Sequence, residues 1–187
     1  MTYKPHWNNY EEQFVKHLLT ASECRAIVFE LLVIDLLEQR LKGLQWQRLL
    51  AGTPDMRVQA PEMIIECKML DDSGAKLTVK KVLRATKTAE KQYSPDLPYV
   101  IAVGCPITES EQKVRTLIKD LEVTAPKWFK TRPKISGALV VWQITPRVDH
   151  FQLMGWKALE FHKGLVIEIK NSNATYPLPL GFSFLGN

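Results

Sequence analysis

Between Trp46 and Gly104 the spacing of apolar residues changes twice, and that change restricts the fold more than any other feature of the 187-residue chain. Trp46–Ala51, Asp55–Gln59 and Met63–Leu70 are short, strand-like segments separated by Gly52-Thr53-Pro54 and Ala60-Pro61. In Asp55–Gln59 the alternation is strict, with Met56 and Val58 on one face and Asp55, Arg57 and Gln59 on the other. From about Lys76 to Tyr93 the apolar period lengthens to that of a helix, and Tyr99–Gly104 is a continuous buried run. Ser22 can cap a preceding helix that runs to about Lys42 and stops at Gly43. The order is helix, three strands, helix, strand, which predicts an α/β fold, a mixed sheet flanked by helices. Another helix is expected at about Glu109–Glu122, with a shorter one near Glu11–Leu19. Ile135–Ile144, Phe151–Phe161 and Leu165–Ile169 read as strands of an antiparallel, strand-rich C-terminal extension, about 127–187. No linker interrupts the chain, so a single domain over 1–187 is expected, with its core at about 22–104.

Chemistry concentrates in the second and third strand segments, where Pro54-Asp55 is followed ten residues later by Glu66-Cys67-Lys68. Residues two apart on a strand share a face, so Glu66 and Lys68 point together while Ile65, Cys67 and Met69 point into the core. A hairpin pairing would bring Asp55 beside Glu66. Two carboxylates beside a lysine suit a hard divalent cation such as Mg²⁺ (or Mn²⁺), which polarises a phosphate and activates water. Lys68 could then position that water or offset charge at phosphorus. A solvated Glu-x-Lys face is the ordinary alternative for either fragment alone. Glu30 strengthens the functional reading, because on a helix its neighbours are Ala26, Ile27, Val33, Ile34, Leu37 and Leu41, and a carboxylate in an apolar stripe is costly unless engaged. Its structural alternative is a buried ion pair with Lys68.

These residues and their order resemble the PD-(D/E)XK nuclease superfamily, the restriction-endonuclease-like fold, over roughly residues 22–104. The resemblance implies a Mg²⁺-dependent deoxyribonuclease with Glu30, Asp55, Glu66 and Lys68 catalytic. It also implies that the metal is held by Asp55, Glu66 and the backbone carbonyl of Cys67. Gln92 falls where many members of the superfamily place a glutamine. Glu168-Ile169-Lys170 repeats the Glu-x-Lys pattern but lacks the surrounding elements, and is expected to be surface charge on a strand.

The net charge is +5, and the segment from Lys76 to Lys91 nets the same +5. Lys76, Lys80, Arg84, Lys87 and Lys91 fall on one helical face, suited to a row of phosphates. Lys127–Lys134, with Lys130, Arg132, Trp128 and Phe129, is expected as a basic, aromatic loop that adds phosphate contacts and base stacking. DNA is therefore the expected partner, and a homodimer or a place in a larger DNA-processing system is compatible with the resemblance. A catalytically inactive nucleic-acid-binding module with the same fold is the alternative. The four histidines show no metal-ligand spacing, and no glycine loop suits a nucleotide. Three well-separated cysteines, no secretory leader and no membrane-length apolar run lead to a cytoplasmic expectation.

Overall fold

The computed structural model describes residues 21–40, 45–48, 54–59, 61–70, 77–92, 96–106, 111–143 and 165–185. The helix expected at 11–19, the strand at 151–161, the Gly52-Thr53 turn, the loop at 71–74 and Lys76 lie outside them.

Three helices and six strands make up the regular structure of the described residues: α1 (Ala21–Arg40), β1 (Trp46–Arg48), β2 (Met56–Gln59), β3 (Glu62–Met69), α2 (Val79–Gln92), β4 (Tyr99–Pro106), α3 (Glu111–Phe129), β5 (Gly137–Gln143) and β6 (Leu165–Lys170). The strands form one mixed sheet in the order β1-β2-β3-β4-β5-β6. β1, β2 and β3 pair antiparallel, β3, β4 and β5 pair parallel, and β6 returns antiparallel to β5. This is a mixed α/β fold with a six-stranded sheet flanked by helices.

Strand alternation sorts the side chains onto two faces. Phe29, Val33, Ile34 and Leu37 of α1 pack on Met56, Val58, Met63 and Ile65 from one side, with Val100, Ala102, Leu139 and Val141 in the same core. Trp46 Nε1 donates to Glu38 at 3.0 Å and ties β1 to α1. On the other face, Val82, Leu83 and Ala89 of α2 and Val114, Leu121, Ala125 and Phe129 of α3 cover Ile64, Tyr99, Ile101, Val103 and Val140. Gly104 permits the close seating of α1. A Cβ there would stand 2.6 Å from Met69 Sδ and 2.8 Å from the Phe29 ring.

Two expectations need correction. β5 is not part of a separate antiparallel appendage: it pairs antiparallel with β6, as expected, but joins the main sheet as an inner strand parallel to β4. Residues 138–142 (Ala-Leu-Val-Val-Trp) are buried on both faces. An unbroken apolar run of that kind belongs to a buried parallel strand rather than to a half-exposed hairpin. The second correction concerns α3, which continues through Pro126 to Phe129 instead of ending near Glu122. Its buried stripe of Leu121, Ala125 and Phe129 crosses the proline at helical spacing, and Lys130 N donates to Pro126 O at 3.1 Å. Packing of that stripe outweighs the one hydrogen bond that proline cannot make.

No helix among the described residues is long and apolar enough to cross a membrane.

Candidate active site

Met56 pairs with Ile65, and one further step along that register sets Asp55 opposite Glu66. The hairpin inferred from alternation is therefore present, and both acids lie on the face that carries α2. The backbone N–H of Cys67 donates to the Asp55 carboxylate at 2.6 Å, which fixes Asp55 against β3.

Glu66 is the unusual member. Its side chain is 1 % exposed, and Oε1 is paired with the Lys68 ammonium. Oε2 is buried without a hydrogen-bond partner. Burial is the main reason its pKa is raised from the ordinary value of 4.5; the adjacent Asp55 charge raises it further, while Lys68 and the Asp55 backbone oppose the shift. A second negative charge beside it and an unsatisfied buried oxygen are both unfavourable for the isolated protein. A bound cation would relieve both, so the residues present fit a divalent metal on Asp55 and Glu66.

Lys68 is 26 % exposed and stays beside Glu66 on the same face. Glu30 is 8 % exposed, on the helix that covers the opposite face. There its charge acts on Cys67, whose thiol pKa is pushed up first by burial, then by Asp55, Glu30 and Glu66. Asp55, Glu66 and Lys68 are thus brought together, while Glu30 flanks them from the far side of β3. Among the described residues, no group of three or more His, Cys, Asp or Glu side chains stands close enough to hold a metal ion. The acid pair is what the fold assembles.

Thr78 caps α2, its Oγ1 accepting from Lys81 N at 3.2 Å. From that start Val82, Leu83, Thr86 and Ala89 turn inward, and Lys80, Arg84, Lys87 and Lys91 are exposed along the outer face. The expected basic stripe is therefore a solvent-facing row over these four residues, and Gln92 ends the same helix.

The 127–134 segment differs from expectation. Lys127, Trp128 and Phe129 form the last turn of α3, and Phe129 is buried in the core. Trp128 Nε1 donates to Thr86 Oγ1 at 3.2 Å, joining α3 to α2. Arg132, expected on phosphates, lies over the Trp128 ring at 4.0 Å with its Nε 3.8 Å from Glu90. Its role in the fold is to clamp the two helices. Lys130 remains exposed.

Glu168 also departs from expectation. It is not a surface charge: its side chain is 7 % exposed. Oε2 accepts from Ser183 Oγ at 2.7 Å and from Phe184 N at 3.0 Å. Asn171, which sequence reasoning passed over, is 4 % exposed and donates from Nδ2 to the carbonyls of Phe129, Arg132 and Ile135. An open depression on the outer face of α3, lined by Gln112, Arg115, Thr116, Ile118, Lys119 and Glu122, involves neither acid. It is formed by water-facing side chains of a single helix, and the chemistry lies with the buried pair.

No family model, curated protein or solved structure matches the chain.

Proposed function

We propose that this chain is a Mg²⁺-dependent nuclease that hydrolyses DNA phosphodiester bonds on a restriction-endonuclease-like core. The observation that carries the reading is the buried Glu66 carboxylate, set against Asp55 with one oxygen unsatisfied. A pair of acids repels a polyanion, so its placement near a row of exposed cations makes chemical sense when a metal stands between acid and phosphate. The order α1-β1-β2-β3-α2-β4, an antiparallel meander followed by a parallel strand, also agrees with that core.

Asp55 and Glu66 would hold the ion, with the Cys67 carbonyl available from the same strand. When bound, the ion would supply Lewis-acid polarisation of the scissile phosphate. Lys68, held by Glu66, places an ammonium where negative charge grows as phosphorus is attacked. Lys80, Arg84, Lys87 and Lys91 attach the flanking backbone through phosphates, independent of sequence. Free thiols at Cys67 and Cys105 suit a cytoplasmic setting.

The test is a thermal melt with and without Mg²⁺, run beside a nicking assay on supercoiled DNA. A ligand at one hundred times its Kd adds about 2.7 kcal/mol to stability. In a chain of this size that is about 5–10 °C in Tm. Wild type should show the shift and chelator-sensitive nicking, and Asp55→Asn should lose both. Nicking that survives in Asp55→Asn would reject the assignment.

A further inference from the structure

The two faces of the sheet are not covered equally. α1 covers β1, β2 and β3 from one side, through Trp46, Met56, Val58, Met63 and Ile65. On the other side α2 and α3 cover β3, β4 and β5, but among the described residues no helix covers the same face of β1 and β2. Gln47 pairs with Arg57, and Gln59 with Glu62. Gln45 lies beside Gln59, whose N–H donates to its carbonyl at 2.9 Å. All five side chains are exposed. Since Asp55, Arg57 and Gln59 alternate along β2, this patch shares its face with the acid pair and adjoins it directly.

α2 forms a wall beside this open floor. Its Thr86 and Glu90 side is taken by Trp128 and Arg132 of the α3 end. By helical periodicity Lys81, Ala85 and Thr88 lie on the other flank, toward β3 and β2, below the row of Lys80, Arg84, Lys87 and Lys91. The result is a step with an amide-rich polar floor, a cationic upper rim and the two carboxylates at one end.

We propose that the open face of β1 and β2 receives a DNA duplex, and that Gln47, Arg57 and Gln59 read base edges next to the cut. This rests on the nuclease reading above and adds a source of sequence preference to it. Charge complementarity with the cationic rim and continuity with the acid pair favour DNA as the occupant. Glutamine and arginine are the side chains that pair bidentately with adenine and guanine, and a β-ribbon fits the major groove. Arg57 is held by Glu62 in an exposed ion pair. An exposed pair of this kind is weak and screened by salt, so it does not bar Arg57 from a base edge. Gln59 is four residues from Asp55, about 14 Å along a strand. At a rise of about 3.4 Å per base pair, the preference should be confined to about four base pairs on one side of the cut.

The experiment uses a library of random duplexes with the full-length protein, read twice: as bound sequences in Ca²⁺ and as cleaved ends in Mg²⁺. Wild type should show a preference within those four positions. Gln47→Ala with Gln59→Ala, and separately Arg57→Ala, should flatten it by about tenfold per lost contact. Gln112→Ala on α3 should keep the wild-type pattern, and unchanged melting temperatures would show that the β-variants fold. If wild type cuts DNA with no preference there, or the variants keep it, the face is only a solvated sheet surface and the inference fails alone. If bound sequences show the preference and its loss but nothing is cut, the inference stands and the nuclease reading falls. A wild type that neither binds nor cuts removes both.

Discussion

β3 and β6 carry the same three-residue pattern, Glu66-Cys67-Lys68 and Glu168-Ile169-Lys170, with different outcomes. In each, the glutamate is nearly buried and pairs with the lysine two residues on. What differs is what the rest of the chain places opposite. Glu168 meets donors, the Ser183 hydroxyl and the Phe184 N–H, and Lys170 adds a bond to the Phe182 carbonyl. Glu66 meets a second acid, Asp55, and keeps an oxygen without a partner. Glu168 Oε2 is satisfied by the protein and fastens the C-terminal segment, while its Oε1 has only the Lys170 ammonium 3.6 Å away. Glu66 Oε2 has no hydrogen-bond donor and its carboxylate faces a second acid, so the two strands differ in the acid that opposes Glu66 rather than in an orphaned oxygen. A tripeptide pattern says little about role until the groups packed against it are known.

The largest expected effect is on cleavage. Glu66→Gln should lower the nicking rate by at least about a thousandfold, equivalent to ~4 kcal/mol of barrier, while Glu168→Gln keeps the wild-type rate. Equal loss in both would erase the distinction between the strands. Stability should respond in the opposite sense. Glu168→Ala leaves the Phe184 N–H and Ser183 hydroxyl without their buried acceptor, at a cost of about 2–3 kcal/mol by urea denaturation. Glu66→Gln, melted in chelator, should be neutral or stabilising because it removes a buried charge facing Asp55. A destabilisation matching that of Glu168→Ala would show that Glu66 is satisfied after all.

The smallest effect is a dependence on pH. The folded-state pKa of Glu66 is raised above its ordinary 4.5. Stability linked to this group is therefore complete below pH 4.5 and declines as pH rises through the raised value, because the unfolded chain releases the proton first. The melting temperature of Glu66→Gln relative to wild type should thus rise between pH 4 and pH 8 without metal. A gap that narrows over that range would contradict the burial argument.

Asp55, Glu66 and Lys68 were legible because strand alternation and a short hairpin are local properties, and both hold here. The α1 stripe was legible for the same reason. The parallel placement of β5 was recoverable from its unbroken apolar run, and the length of α3 from a stripe that continues past Pro126. The role of Arg132 was not, since Trp128 and Glu90 meet it only when α2 and α3 pack. Glu168 was misread because its donors arrive 15 and 16 residues later from an irregular segment. The position of Glu30 beyond Cys67 depended on which face α1 covers, and its own periodicity could not indicate that.

In the described sheet, spatial order repeats chain order from β1 to β6. Among the described strands each pairs with the one before it in the chain, so a pairing edge is already present when the next strand arrives. A chain emerging from the ribosome could close β1, β2 and β3 first and add each later strand to an existing edge. Short separations within β1–β3 lower the entropic cost of forming a folding nucleus there, whereas the parallel pairings of β4 and β5 close loops of about 35 residues and come later. The hairpin that joins Asp55 to Glu66 belongs to the first part that can form, so these mutually repelling acids would come together early, with the later strands stabilising them afterwards.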